Sequence, residues 1–259
     1  MGRFDGRSAI VTGGGRGIGE AIARLLAAQG ASVLILARTA QEIEAVAASI
    51  GDMAVPLVAD VGDPAAVARV VATAVERFGG VDMLVNNAGI DDDCPFLDID
   101  PANWDRVVRT NLTGVFLMAQ AAGRVMAEAG RGAMVHIASI DAHGADGNQA
   151  AYNSSKAGML GLNRTISTEL ASRGIRSNTV SPGYTATPLT RQYVGEPMYE
   201  YMTRRFARVP QGRMATPEEI ASAVAFLLSD EAAGITGTDL VVDGGTIANL
   251  YIVETLPAE

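Results

Sequence analysis

Tyr152 and Lys156 stand four residues apart in "AAYNSSKAGML" (150–160), and Lys156 is the chain's only lysine; the other nineteen basic residues are arginine. In a stretch of helical period this spacing puts both side chains on one face. A free tyrosine has a pKa of about 10, too high for acid–base work at neutral pH. An ammonium held beside it favours the phenolate and lowers that value. Lysine offers a compact charge with three rotatable donors, whereas the planar arginine fork is larger and directs its donors elsewhere. Thirteen residues before the tyrosine, Ser139 ends an apolar run, where its hydroxyl can hold a substrate oxygen near Tyr152. Asn111, in "RTNLTGVF", is an unfavourable choice for the middle of a helix, which points to a role.

A second group of residues suits phosphate. "VTGGGRGIGEAIARLLAAQG" (11–30) reads as a strand, a glycine turn and a helix. The helix N-terminus then aims free N–H groups and a partial positive charge at the turn. Glycines let the backbone approach a pyrophosphate closely. The spacing is T-G-x-x-x-G-x-G, carried by Thr12, Gly13, Gly17 and Gly19, and not the common GxGxxG. Where the next strand ends, in "LILARTA", an acidic residue often holds the adenosine ribose. Here that position is Ala37, followed by Arg38, and Arg16 lies within the turn. A carboxylate would repel a 2′-phosphate and two guanidinium groups would bind it, so NADP(H) is expected over NAD(H).

The elements that must position these groups are legible as alternation. Apolar runs at 8–12, 32–37, 53–59, 82–86, 133–139, 175–181 and 238–244 read as strands buried on both faces. Between them, 17–29, 40–49, 64–78, 101–129, 152–172 and 217–229 carry helical spacing. Asp63-Pro64, Asp100-Pro101 and Thr216-Pro217 each place a capping side chain before a proline at the first helical position. The pattern predicts an α/β fold, a doubly wound parallel sheet flanked by helices, as a single domain over 1–259. The long stretch 183–216 is expected to be a substrate loop. In the tail, 246–259, Leu250, Tyr251, Ile252, Val253 and Leu256 are too apolar for a free end, so it should pack on another subunit or roof the pocket.

Composition excludes several roles. A net charge of −9 argues against nucleic acid and anionic membranes. The N-terminus lacks the order of a signal peptide, and no apolar run reaches the roughly 18 residues that span a bilayer. With Cys94 the sole cysteine there is no internal disulfide, and Cys94 reads as a small packing residue. A soluble, cytoplasmic protein is expected. His136 and His143 are the only histidines and no metal-ligand spacing exists, so no metal is expected. His136 reads as a hydrogen-bonded strand residue. "DDDC" (91–94) reads as a solvated turn, although its three carboxylates would disfavour an anionic substrate.

"TGGGRGIG" (12–19), "ADV" (59–61), "NNAG" (86–89), Asn111, Ser139, "YNSSK" (152–156) and "SPGYTAT" (181–187) follow the order and spacing of the short-chain dehydrogenase/reductase family. The resemblance runs from Gly6 to Gly245. It implies a Rossmann-type fold, a homotetramer (or homodimer), and hydride transfer between a nicotinamide and an alcohol/ketone pair. It also implies a catalytic set of Asn111, Ser139, Tyr152 and Lys156, with Asn111 binding a water of the proton relay. The oxidised nicotinamide's positive charge should help Lys156 lower the tyrosine pKa.

Cofactor contacts are implied for Thr12, Gly13, Arg16, Gly17, Ile18, Gly19 and Arg38, for Asp60 and Val61 at the adenine, and for Asn87, Ala88 and Gly89. Tyr152, Lys156, Pro182, Gly183, Thr185 and Thr187 complete the set, the two threonines at the carboxamide. Thr185 departs from the family's branched aliphatic, and His136 stands where asparagine is common. A non-catalytic dinucleotide sensor, an NAD-dependent alcohol dehydrogenase and a double-bond reductase are the alternatives. In the last of these, tyrosine and lysine usually stand further apart.

Overall fold

A computed structural model describes residues 2–249. The apolar tail residues Leu250, Tyr251, Ile252, Val253 and Leu256 lie outside the described residues. Seven strands, β1 (Ser8–Thr12), β2 (Ser32–Ala37), β3 (Ala54–Val58), β4 (Met83–Asn86), β5 (Gly132–Ile137), β6 (Ile175–Pro182) and β7 (Asp239–Val242), form one sheet in the order β3-β2-β1-β4-β5-β6-β7. Every neighbouring pair is parallel.

Alternate strand residues face opposite sides of a pleated sheet, so a sheet covered on both faces needs uninterrupted apolar strands. Ala9 and Val11 of β1, Val33 and Ile35 of β2, and Met83 and Val85 of β4 enter one core. Ile10, Leu34, Leu36 and Leu84 enter the other. The first core is closed by helices α1 (Gly17–Ala28), α2 (Ala40–Ile50) and, later in the chain, Pro217–Leu228. The second is closed by α3 (Pro64–Phe78) and by the helix Gly114–Ala129.

The predicted helix over 101–129 is not uniform. It runs as α4 (Pro101–Val108), one π-helical turn (Arg109–Thr113) and α5 (Gly114–Ala129). Then follow α6 (Ala150–Leu170), α7 (Pro188–Val194), α8 (Glu196–Arg204) and α9 (Pro217–Leu228). The loop expected at 183–216 therefore holds two short helices. The three proline-led starts are capped as read: Asp63 accepts from Ala65 N–H, Asp100 from Ala102 N–H, and Thr216 forms a reciprocal capping box with Glu219.

The chain winds from β1 outward to β3 and then returns to β4 on the other side of β1. Crossovers on either side of this point leave a crevice beyond the carboxyl ends of β1 and β4, where ligands of open α/β sheets bind. Thr12 and Asn86 end those strands, so the glycine turn and the "NNAG" segment meet there.

Candidate active site

The two segments at the crevice are tied by side chain. Thr12 Oγ1 accepts from the N–H groups of Asn87 and Ala88, both at 2.9 Å. Asn87 Nδ2 donates back to the carbonyls of Thr12 and Gly13, both at 3.0 Å. Gly13 has φ of +64°, and a Cβ there would lie 2.9 Å from Ala88 Cα. A Cβ on Gly19 would overlap the Gly13 carbonyl oxygen. These glycines are needed for backbone to meet backbone.

Arg16 is the N-cap of α1, and its side chain makes no capping hydrogen bond. The first-turn N–H groups thus face the crevice mouth without a side-chain acceptor, as an anion site requires. Ile18 packs into the core beneath the turn. The residues present fit a dinucleotide pyrophosphate.

At the end of β2, Arg38 follows Ala37 and is exposed. The Arg16 side chain is also exposed, with Glu42 at 3.6 Å as its ion partner. Asp60 Oδ1 accepts from Gly62 N–H at 2.8 Å, which shapes the turn after β3, and Val61 is buried. At the far end of the crevice, Pro182 ends β6, and Gly183 packs so closely on Asp243 that a Cβ would lie 2.7 Å from the aspartate Cβ. Buried Thr185 donates to the Gly183 carbonyl at 3.0 Å. Thr187 caps α7, accepting from Thr190 N–H at 3.1 Å. A Cβ on Gly17 would stand 3.5 Å from Thr187 Cβ, so this segment returns to the glycine turn.

Asn111 lies on the π-helical turn and is fully buried. Its amide pairs with both backbone groups of Ile90, accepting from the N–H at 2.9 Å and donating to the carbonyl at 2.8 Å, and it also donates to Ser155 Oγ at 3.2 Å. A π turn inserts one residue, re-aiming the side chains around it, and such turns gather at functional sites. Here it fixes the loop after β4 against α6. A Cβ on Gly89 would lie 3.6 Å from Asn111 Oδ1 and 3.7 Å from Lys156 Nζ, so Gly89, Asn111 and Lys156 converge.

Tyr152 and Lys156 lie on one face of α6 as the spacing predicts. Lys156 is 3 % exposed; Nζ donates to the Ile137 carbonyl at 2.6 Å and stands 5.4 Å from the centre of the Tyr152 ring. Burial lowers its pKa to about 8, against the raising influence of Asp141 and Asp91. Burial also pushes the Tyr152 phenol well above its ordinary value; the Asp141 carboxylate adds to this, and the neighbouring Ser139 side chain opposes it. Burial and the Asp141 carboxylate thus act against the phenolate that a neighbouring ammonium would favour.

Ser139 follows β5 and is buried. Its Oγ accepts from Asp141 N–H at 3.1 Å and donates to Asp141 Oδ2 at 2.9 Å. Asp141 was not legible as a site residue, because nothing in "SIDAHG" marks a carboxylate folded back on the serine. Burial raises its pKa, with Ser139 opposing. The "DDDC" segment is not simply a solvated turn. Asp91 is half-buried and accepts from Gln149 Nε2 at 2.7 Å, and burial raises its pKa too. Asp92 has Arg106 at 3.8 Å as its partner.

His136 is the hydrogen-bonded strand residue expected. Asn86 Nδ2 lies 2.9 Å from Nδ1, and Nε2 lies 3.1 Å from Ser177 Oγ, which in turn donates to Asn163 Oδ1 at 2.8 Å. An amide donor at Nδ1 puts the imidazole proton on Nε2. Burial lowers its pKa to about 4, so it is neutral and holds β4, β5 and β6 in line.

The profile of the enoyl-(acyl carrier protein) reductase family matches residues 13–246. The chain is 40 % identical over 242 residues to 3-oxoacyl-[acyl-carrier-protein] reductase FabG of Escherichia coli, covering 93 % of this chain and 98 % of that protein. It is 42 % identical over 248 residues to cis-4-hydroxycyclohexanecarboxylate dehydrogenase of Sinomonas cyclohexanicum, covering 95 % and 98 %. A solved short-chain type dehydrogenase/reductase from Mycobacterium marinum superposes with a TM-score of 0.87 at 36 % identity, covering 95 % of this chain and 97 % of that one. With the parallel sheet, the glycine turn and the Tyr152–Lys156 pair in place, these matches extend over nearly the whole chain. The protein belongs to the short-chain dehydrogenase/reductase family, oxidoreductases that act on alcohol and ketone groups with a nicotinamide dinucleotide.

Proposed function

We propose that the protein interconverts a secondary alcohol and a ketone with NADP(H), as one dinucleotide-binding domain assembled into a homotetramer or homodimer in the cytoplasm. The observation that carries this reading is the meeting of Ser139, Tyr152 and Lys156, from β5's end and one face of α6, beside Gly89 and Asn111. When bound, the nicotinamide exchanges a hydride with the carbinol carbon. Ser139 holds the substrate oxygen, and Tyr152 gives or takes its proton. Lys156 holds the ribose hydroxyls and favours the phenolate, and Asn111 supports the proton's path to solvent. Thr12, Gly13, Gly17, Ile18 and Gly19 cradle the pyrophosphate, with Asn87, Ala88 and Gly89 alongside. Asp60 and Val61 receive the adenine. Pro182, Gly183, Thr185 and Thr187 flank the carboxamide.

Arg38, exposed after Ala37 at the end of β2, and Arg16, exposed in the glycine turn after β1, support NADP(H). Tyr152 and Lys156, four apart on α6, favour carbonyl chemistry over reduction of a carbon–carbon double bond. A panel of ketones and alcohols with both cofactors tests the proposal. Turnover by the wild type, lost in Tyr152→Phe, supports it. Dinucleotide binding without turnover of any carbonyl or alcohol would make the protein a sensor on this fold.

A further inference from the structure

We propose that Asp141 selects the substrate of this site, and that the substrate is an amino alcohol or amino ketone whose ammonium group lies next to the reacting carbon. The inference rests on the oxidoreductase reading, because Ser139 and Tyr152 fix where the reacting oxygen sits. Asp141 Oδ2 is 2.9 Å from Ser139 Oγ, and the Asp141 N–H returns to the same oxygen at 3.1 Å. A carboxylate is thus anchored one side chain away from the group that holds the substrate oxygen. It also borders a cavity of about 420 Å³, whose wall includes Asp146, Arg208 and, from the start of the tail, Thr246 and Ile247. Among the described residues the one basic side chain on that wall, Arg208, is 3.2 Å from Asp146 and does not serve Asp141.

The bond to Ser139 has a chemical consequence. While Asp141 is charged, it takes the serine's only proton, the one the substrate oxygen needs, although the Lys156 charge also acts on it. Its charge also opposes the phenolate of Tyr152. A substrate ammonium beside Asp141 offsets both effects, pairing with the carboxylate and cancelling its field at the tyrosine. A neutral alcohol offsets neither, and an anionic one adds to the repulsion, with half-buried Asp91 close by.

The test uses the full chain and two alcohols of one shape, 1-amino-2-propanol and 2-butanol, with calorimetric binding of each in parallel. The wild type is expected to show kcat/KM at least about tenfold higher for the amine, as one charge-assisted contact supplies. In Asp141→Asn the ratio should fall toward one. Equal or inverted preference in the wild type, or a ratio unchanged in the variant, overturns the inference. If 2-butanol is turned over as well as the amine, the oxidoreductase reading stands without it. If neither alcohol is turned over with either cofactor, the ketone and alcohol panel decides that reading, and equal calorimetric affinity for the two compounds overturns the role of Asp141.

Discussion

The Lys156 ammonium stands 5.4 Å from the centre of the Tyr152 ring and sends its short hydrogen bond to the Ile137 carbonyl instead. The lysine is therefore held by the end of β5 and buried, with donors to spare beyond that one bond. A guanidinium would have to find room in the same closed space. This relationship explains why the one lysine of the chain is here, and it makes position 156 sensitive to shape as well as charge.

Cofactor choice should follow the residues after β2. Ala37→Asp with Arg38→Leu is expected to reverse a preference for NADPH, because it removes one guanidinium and adds a charge that repels the 2′-phosphate. Steady-state kcat/KM with each cofactor measures this. Higher kcat/KM with NADH in the wild type would contradict the assignment of Arg16 and Arg38.

Two glycine substitutions should part in sign. Gly19→Ala forces a methyl onto the Gly13 carbonyl oxygen and beside Asn87, so dinucleotide affinity should drop by at least about tenfold or the fold should weaken. Gly161→Ala, on an open face of α6 with nothing near the new methyl, should stabilise by about 0.5–1 kcal/mol. Fluorescence titration with NADPH and urea unfolding report the two effects. An unaltered affinity in Gly19→Ala would remove the case for a tight backbone cradle.

Asn111→Ala leaves both backbone groups of Ile90 without their side-chain partner. Unmade buried hydrogen bonds cost about 1–3 kcal/mol each, so a stability loss of roughly 2–6 kcal/mol is expected, with a fall in kcat. Urea unfolding and turnover, measured together, check it. A variant as stable and as active as the wild type would show that the π turn does not depend on this amide.

Buried His136 makes stability depend on pH. Its folded pKa of about 4 lies below the ordinary 6.5 of an unfolded histidine. The unfolded chain thus binds the proton first, so this stability is complete above pH 6.5 and is lost as pH falls toward 4. Between pH 6.5 and 5 the loss from this one group should be about 2 kcal/mol. Unfolding free energies at the two pH values, in the wild type and in His136→Asn, isolate it. Equal losses in both proteins would mean that His136 is protonated in the folded state.

Much of this fold was legible because buried parallel strands read as short unbroken apolar runs, and because Asp63, Asp100 and Thr216 mark helix starts with a cap and a proline. The glycine turn and the Tyr152–Lys156 face were legible for the same reason, since each depends on spacing along one element. What could not be read arises across elements. The π turn at Arg109–Thr113 is set by Asn111 reaching Ile90, a contact that helical periodicity cannot contain. Asp141 folds back on Ser139, and Asp91 is drawn in by Gln149 from fifty-eight residues away. Likewise the upward push on Tyr152 comes from burial and from Asp141, whereas spacing alone showed only the lysine.

The central claim is that Lys156 acts on Tyr152 through position as well as charge, and Lys156→Arg tests it most directly. The pH–rate profile of alcohol oxidation, measured for wild type and variant with saturating cofactor, is the measurement. The account predicts a kcat lower by roughly 100-fold, within the range of lost acid–base catalysis, and a rising limb moved to higher pH. An arginine variant with near-normal kcat and an unmoved profile would contradict it.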